Sequence, residues 1–276
     1  MQTSEGNLWE THARQWRRIG PPLRPCSADI DMLARLTGMA GLQRSGGGRV
    51  LLLGVTPEIA AYRWPEGSEL LAVDSSLAMV RTVWPGSTSV AAAAIVGDWK
   101  TLPLADASRD LAIADGCFVV LDFPDAYRAV LSAVHKALRA DGVFAIRWFL
   151  QSDIPEKTDA VLDDLLAGRI GNFHVFKWRL AMSLQRDLRT GVRLADVWDA
   201  WHAAVPDPAC LGARPGWSTE VMATIDAYRD APARYTFPTI EQARSAFAPY
   251  FDEIRVHVPG YELGERCVHF ALRPRH

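Results

Sequence analysis

The stretch RVLLLGVTPE at residues 49–58 decides the fold, because it begins a series of three similar segments. The other two read LLAVDSS at residues 70–76 and AAIVGDW at residues 93–99. Each segment is a short apolar run that ends at a small or acidic residue, which is typical of a buried parallel strand. Since ligands bind outside the carboxyl ends of parallel strands, Gly54, Asp74 and Asp98 are predicted to face one crevice.

The spacing of these strand ends predicts a nucleoside site. Gly54 has no Cβ, so a ligand can approach its backbone closely, although a glycine there also suits an ordinary turn at a strand end. Asp74 follows twenty residues later, where a carboxylate is placed to accept hydrogen bonds from both ribose hydroxyls. Asp98 is placed to read a base edge, and Trp99 to cover the face of the base.

In this order and spacing, the segments resemble those of the class I S-adenosylmethionine-dependent methyltransferases. The likeness continues through DLAIADG at residues 110–116 and ALRADGVFAI at residues 137–146. It covers about residues 49–150, with a compatible tail at 238–273. The resemblance implies an α/β fold with a doubly wound, mostly parallel seven-stranded sheet and helices on both faces, and S-adenosyl-L-methionine as the cofactor.

Together, the strand-end pattern and the resemblance indicate a set of cofactor-binding residues: Gly54, Val55, Asp74, Ser75, Met79, Asp98, Trp99, Asp115, Gly116 and Arg24. The resemblance places Met79 against adenine, although a methionine there is also typical of the core. In the same family, the loop at Asp115 and Gly116 passes beside the reactive methyl group. Arg24 lies in a stiff proline-rich segment and is either a clamp for the cofactor's carboxylate or a solvated surface residue.

The first loop departs from the family pattern, which usually reads like V-L-D-x-G-x-G-x-G. Here Leu52 replaces the acid, and Thr56 and Glu58 replace two glycines. Glu58 argues against a nicotinamide dehydrogenase, because a pyrophosphate needs a helix N-terminus without negative charge. S-adenosylmethionine has no phosphate and tolerates this glutamate. The alternative function is that of a catalytically silent, cofactor-binding relative that acts as a structural or interaction subunit.

Composition limits the class of protein. The chain has 276 residues, 49% hydrophobic residues and a net charge of −2, so its overall charge favours neither nucleic acid nor an anionic membrane as a partner. Its four cysteines show neither a C-x-x-C pair nor the spacing of metal ligands, so no metal site is predicted. The N-terminus lacks the apolar core of a signal peptide. We therefore expect a cytoplasmic protein with reduced thiols, and homo-oligomerisation stays open.

The segments flanking the core predict three regions. Residues 1–48 form an N-terminal helical extension, with an amphipathic helix at 8–19 that either packs on the core or covers the crevice as a lid. A second helix runs from a cap at Ser27 to about Ala40. Residues 49–150 and 237–276 form the cofactor-binding core. Residues 151–236 have helical periodicity and form an insertion, which is an acceptor-binding cap, a subunit interface or additional core.

Methyl transfer is an in-line displacement, so holding the acceptor in line with the methyl group supplies most of the catalysis. A general base helps when the acceptor is an alcohol or a protonated amine. His174 is the candidate for this base, because it lies in the insertion among aromatic residues, although a lone histidine there is also typical of a packed core. The predicted function is methyl transfer from S-adenosylmethionine to a small-molecule acceptor.

Overall fold

The computed structural model describes residues 4–87, 89–212 and 214–276, with side chains from residue 8 onward. Its nine strands are β1 Arg49–Leu53, β2 Glu69–Asp74, β3 Ala91–Val96, β4 Arg109–Asp115, β5 Leu138–Phe149, β6 Val192–Arg193, β7 Arg234–Tyr235, β8 Phe251–His257 and β9 Cys267–Pro274. Its α-helices are α1 Ser4–Gln15, α2 Ser27–Met39, α3 Pro57–Ala60, α4 Leu77–Thr82, α5 Asp125–Ala137, α6 Thr158–Leu166, α7 Phe173–Leu184, α8 Leu194–Ala204, α9 Thr219–Met222 and α10 Ile240–Phe247.

Seven strands form one sheet in the order β3-β2-β1-β4-β5-β9-β8. The first five strands of this order are parallel, whereas β9 runs antiparallel to both of its neighbours. Leu53 at the end of β1 pairs with Val73 on one side and Ala114 on the other. The strand ends are therefore aligned at one edge, and the predicted α/β sheet is confirmed.

Alternation along the buried strand β1 explains why helices cover both faces of the sheet. Leu51 and Leu53 pack with residues of α5 and α10 on one face. Val50 and Leu52 pack with residues of α2 and α4 on the other face. All four side chains are at most 1% exposed. A strand that is apolar at every position needs an apolar layer on each side, so the sequence run dictates a three-layer core.

Several element boundaries differ from the sequence expectations. The prediction that Ser27 caps α2 is wrong, because Cys26 is the N-cap and Asp29 completes a capping box with it. The helix after Gly54 spans only the four residues Pro57–Ala60. Strand β5 begins at Leu138, directly after α5. The expectations also omitted the short antiparallel ribbon of β6 and β7.

The segment between β5 and α10 has a hydrophobic cluster of its own. Helices α6 to α8 and the β6–β7 ribbon contribute half of its buried residues. At its centre, the Phe173 ring lies 5.3 Å from the ring of Trp201 and 5.7 Å from that of Trp217. Leu8 from α1 and Phe149 from β5 join this cluster, so it packs against both the N-terminal helix and the sheet.

Among the described residues, no helix combines the length and the apolar composition that crossing a membrane requires.

A buried ionic cluster joins the sheet to the N-terminal segment. The Arg147 side chain, 1% exposed, donates from Nε and Nη2 to the Asp115 carboxylate at 2.5 and 3.1 Å. Its Nη1 donates to the Pro22 carbonyl at 2.7 Å and lies 3.7 Å from Asp29 Oδ2. Burial alone lowers the pKa of Arg147, but the two carboxylates raise it above its usual value. The guanidinium therefore stays charged and holds both acids.

Asp29 completes this cluster from α2. Its carboxylate accepts hydrogen bonds from the Tyr261 hydroxyl at 2.9 Å and from His269 Nε2 at 2.7 Å. Burial raises the pKa of Asp29, but the His269 hydrogen bond and the Arg147 charge outweigh burial and lower it below its usual range. Because every charge in the cluster has a partner, the cluster is tolerated in the interior.

We predict that Arg147→Met lowers the free energy of unfolding by about 3–5 kcal/mol, because it leaves two buried carboxylates without their cation. Urea denaturation followed by tryptophan fluorescence measures this change. The matched control is Arg275→Met, which removes an ion pair to Asp252 whose two side chains are 54% and 56% exposed and should cost less than about 1 kcal/mol. Equal losses in the two variants would show that the buried cluster has no special role.

Candidate functional site

The carboxyl ends of strands β1 to β4 open onto a crevice made of two adjoining cavities. The walls of the apolar cavity include the predicted residues Gly54, Val55, Asp74, Met79, Trp99, Asp115 and Gly116. The walls of the polar cavity include the predicted residues Asp74, Ser75, Asp98 and Trp99. Since Asp74 and Trp99 line both cavities, the strand-end residues form one continuous site.

Gly54 and Asp74 lie side by side at the junction of the two cavities. Gly54 has a φ of +94°, which favours glycine, and its N–H donates to the Val73 carbonyl at 2.8 Å. Asp74 Oδ1 accepts a hydrogen bond from the Ser76 N–H at 2.8 Å, whereas Oδ2 makes no hydrogen bond within the described part of the chain. Burial raises the pKa of Asp74 to about 6. This carboxylate thus has an oxygen available for a ligand donor.

The next strand end positions an aromatic ring beside this carboxylate. Trp99 Nε1 donates to the Val73 carbonyl at 2.6 Å, which fixes the orientation of the indole. Asp98 caps the turn that carries Trp99 by accepting from the Lys100 N–H at 2.9 Å. Met79 lies across the cavity on α4, whose N-cap is Ser76. A flat group between Trp99 and Met79 would contact apolar surface on the cavity wall.

Asp115 and Gly116 form the floor of the apolar cavity. Both Asp115 oxygens accept hydrogen bonds from Arg147, so this carboxylate is already neutralised by a buried cation. Gly116 has a φ of +66°, and a Cβ added there would lie 2.3 Å from Cε2 of Phe149. The backbone at this position therefore requires glycine, and a ligand can pass close to it.

Arg24 lies apart from the other predicted cofactor residues. Its Nε donates to Glu58 Oε1 at 2.7 Å, and its Nη1 donates to the Trp16 carbonyl at 3.0 Å. Arg24 is not among the residues that line either cavity. The ion pair accounts for the glutamate that departs from the family's glycine pattern. The role of Arg24 as a carboxylate clamp stays a prediction, and it would require exchange of the Glu58 partner.

His174 is buried in α7 and is likewise not among the lining residues of either cavity. Its Nε2 lies 3.0 Å from the Arg18 carbonyl, so Nε2 carries the proton and donates. Its Nδ1 is buried without a hydrogen-bond partner. Burial and the nearby charge of Lys177 lower the pKa of His174 to about 3. This position ties the N-terminal segment to α7, and the role of His174 as a base stays a prediction.

The expectations missed a polar group on the wall of the apolar cavity. Lys177 is completely buried and lines this cavity together with His12, Tyr228 and Tyr235. Burial lowers the pKa of Lys177 to about 7. The signal was present in the sequence, because Lys177 is a cationic residue inside the aromatic helix FHVFKWRLAM at residues 173–182. A buried lysine of this kind is a common mark of a functional site.

Within the described ranges, no three His, Cys, Asp or Glu side chains are grouped so that they could hold a metal ion.

Comparisons with known proteins match the core of the chain. Residues 52–146 match a protein-family model described as a methyltransferase domain. No curated protein matches the sequence.

Solved structures share the fold over most or all of the chain. One from Rhodobacter sphaeroides, titled as a zinc-dependent alcohol dehydrogenase of inferred function, is 14% identical, covers 100% of both chains and has a TM-score of 0.66. A chain in a complex of the Haloferax volcanii Trm112 methyltransferase activator with a methyltransferase is 13% identical, covers 100% of both chains and has a TM-score of 0.50. A Burkholderia thailandensis N1-methyltransferase with bound 1,6-didemethyltoxoflavin and S-adenosylhomocysteine is 16% identical, covers 90% of this chain and 80% of its own, and has a TM-score of 0.46. At these identities, the likenesses to the Rhodobacter sphaeroides and Haloferax volcanii structures concern the fold alone.

We predict that Gly54→Ala lowers the free energy of unfolding by about 1–2 kcal/mol, because alanine is strained at a positive φ. The added methyl group would lie 3.9 Å from Asp74 Oδ2, so no collision contributes. Gly38→Ala is the control, since Gly38 lies in α2 with nothing within 4 Å of the added Cβ, and it should raise stability by about 0.5–1 kcal/mol. Thermal unfolding measures both changes, and a neutral Gly54→Ala contradicts the strain argument.

Proposed function

We propose that this chain methylates a small-molecule acceptor with S-adenosyl-L-methionine as the methyl donor, since residues 52–146 match a methyltransferase domain. The observation that carries the proposal is the buried Asp74 carboxylate, which has one oxygen without a partner among the described residues and lines both the polar and the apolar cavity. The polar part suits a nucleoside, and the apolar part suits an organic acceptor.

The residues around the crevice fit the cofactor group by group. Asp74 holds the ribose hydroxyls, Asp98 accepts a hydrogen bond from the adenine amino group, and Trp99 and Met79 contact the adenine faces. Val55, just after β1, lines the apolar cavity, and Ser75, just after β2, lines the polar cavity. S-adenosylmethionine supplies a methyl group on a sulfonium centre, so the chain need only position the acceptor and remove any proton that it loses.

In this proposal the acceptor occupies the part of the apolar cavity away from the strand ends, whereas Gly54, Val55 and Met79 on its strand-end side contact the cofactor. Helix α1 supplies Trp9 to its wall, the 3-10 helix Trp16–Arg18 supplies Trp16, α7 supplies Trp178, and β7 supplies Tyr235. Residues 1–48 accordingly act as a lid, residues 151–236 as the acceptor-binding cap, and residues 49–150 with 237–276 as the cofactor-binding core. A cavity enclosed by aromatic rings favours a small organic molecule over a polymer.

We place this activity in the cytoplasm, as the cysteines of the chain suggest. The residues Cys26, Cys117, Cys210 and Cys267 are all free thiols in the structure. A reducing compartment keeps cysteines in this form.

We expect Asp74→Ala to weaken binding of S-adenosylhomocysteine by about 1.5–3 kcal/mol, or roughly 10-fold or more, because two hydrogen bonds to a buried carboxylate are lost. Calorimetric titration measures the affinity, and mass spectrometry of freshly purified protein detects copurified S-adenosylhomocysteine. Ser87→Ala is the control, because Ser87 lies outside the walls of both cavities. Unchanged affinity in a folded Asp74→Ala variant would refute the ribose assignment.

We also expect the affinity for S-adenosylhomocysteine to fall as the pH drops below about 6. Burial raises the pKa of Asp74 to about 6, so in this range the carboxylate takes up a proton and becomes a weaker acceptor. The loss should approach roughly tenfold per pH unit if only the ionised form binds. Titrations from about pH 4.5 to about pH 8 should show this dependence in the native chain and a flat profile in Asp74→Asn.

A further inference from the structure

Lys177 places an amine in the wall of a mostly apolar cavity. Its side chain is fully buried, and its Nζ has one hydrogen-bond contact, to Thr224 Oγ1 at 3.4 Å. The Nζ also lies 5.1 Å from the centroid of the Tyr228 ring. Within the described part of the chain, no carboxylate forms an ion pair with Lys177. An amine with three possible donor positions thus has most of them unused.

His12 is a second residue of the same cavity wall with an unsatisfied polar atom. It is 6% exposed, and its Nε2 is buried without a hydrogen-bond partner among the described residues. Burial, followed by the nearby Lys177 charge, lowers the pKa of His12 to about 3, so its ring is neutral near pH 7. The His12 ring lies 6.0 Å from the Tyr228 ring, which also carries Lys177 on its face. Two buried nitrogens are therefore present on one aromatic wall.

A buried polar atom without a partner costs free energy, so its persistence in a cavity wall points to a ligand that supplies the partner. The side chains on the cavity wall indicate the chemistry of the rest of that ligand. Trp9, Trp16, Phe149 and Trp178 surround the cavity with flat apolar surface, which favours a planar aromatic molecule. Lys177 disfavours a cationic acceptor, since two like charges would share an apolar site.

We propose that the apolar cavity binds a planar aromatic acceptor with an ionisable hydroxyl group, and that Lys177 receives the proton of this hydroxyl while His12 contacts a second polar atom. This inference rests on the methyltransferase function proposed above and names its acceptor class. It makes the reaction an O-methylation.

In this step one proton moves to Lys177 and one methyl group moves to the acceptor oxygen. The neutral Lys177 amine takes the hydroxyl proton and becomes an ammonium ion. The acceptor oxygen uses its electron pair to form a bond to the methyl carbon as the carbon–sulfur bond breaks and its pair stays on sulfur. The products are a methyl ether and S-adenosylhomocysteine, and the ammonium then releases its proton to water. Because burial lowers the pKa of Lys177 to about 7, its neutral form is available near neutral pH.

The other titratable groups near Lys177 do not compete with it for the proton of the acceptor. His12 faces it from α1, Tyr228 from the 3-10 helix Ala223–Tyr228, and Tyr235 from β7. Burial raises the pKa values of both tyrosines, so their hydroxyls stay protonated near pH 7. Of the carboxylates on the cavity wall, Asp115 is bound to Arg147. Asp74 belongs to the cofactor half of the crevice. His174, one turn earlier on α7, is neutral.

The test uses 4-nitrophenol as the probe, because its neutral and ionised forms absorb at different wavelengths. The whole chain, saturated with S-adenosylhomocysteine, is titrated with the probe, and the ionised fraction of bound probe is read by absorbance across pH. In the native protein, the ammonium form of Lys177 should lower the apparent pKa of bound 4-nitrophenol by about one unit relative to the free probe. In Lys177→Met, burial without a cation should raise that pKa above the free value.

Two controls separate the parts of the proposal. Nitrobenzene has the same ring without the hydroxyl, so it should bind equally to native protein and Lys177→Met, and more weakly than 4-nitrophenol to the native protein. His12→Phe should weaken binding of 4-nitrophenol while it preserves the downward pKa shift. Affinity for S-adenosylhomocysteine should be the same in both variants, which verifies that they are folded.

The outcomes that overturn the inference differ from those that overturn the methyltransferase function. If S-adenosylhomocysteine binds but 4-nitrophenol does not, or if nitrobenzene binds as tightly, the acceptor class is wrong and the methyltransferase proposal stands. If Lys177→Met leaves the ionised fraction unchanged, Lys177 is not the proton acceptor. If the native protein fails to bind S-adenosylhomocysteine, the proposed function itself fails.

Discussion

The buried guanidinium of Arg147 is the interaction on which the geometry of the crevice depends. It lies on β5, holds the Asp115 carboxylate at the end of β4, and reaches the N-terminal segment through Asp29 and the Pro22 carbonyl. A buried cation of this kind is stable only when each of its partners is in place. Arg147 therefore connects Asp115, at the floor of the site, with the N-terminal segment that carries Pro22 and Asp29.

The two halves of the crevice obtain their properties in different ways. The cofactor half is made by parallel strand ends, where backbone geometry brings Gly54, Asp74 and Asp98 together regardless of what lies above them. The apolar half is made by α1, α7 and the β6–β7 ribbon, which pack over those strand ends. Exclusion of water by their aromatic side chains lowers the pKa of Lys177 and raises that of Asp74. Burial in one crevice thus shifts the pKa of the Asp74 carboxyl upward and the pKa of the Lys177 amine downward, and the two groups have different roles in the proposed function.

Local chemistry explains where sequence expectations of secondary structure were accurate and where they were not. The apolar runs that became β1 and β2 are mostly buried, as expected, whereas β3 lies at the edge of the sheet and none of its residues is buried. The N-cap of α2 was misplaced by one residue because a serine is the commoner cap, whereas here Cys26 and Asp29 form a capping box. The β6–β7 ribbon is too short to leave a periodic pattern, and it exists only because its two strands meet across the insertion.

The sequence by itself determined the strand segments and the strand ends that border the crevice, because these follow from hydrophobic period and turn residues. Only the tertiary structure decided which polar residues face that crevice. Arg24 pairs with Glu58, His174 binds a carbonyl that is 156 residues away in the chain, and Lys177 lines the cavity. The physical reason is that burial and hydrogen-bond partners are properties of contacts between distant segments, and no local pattern of residues encodes them.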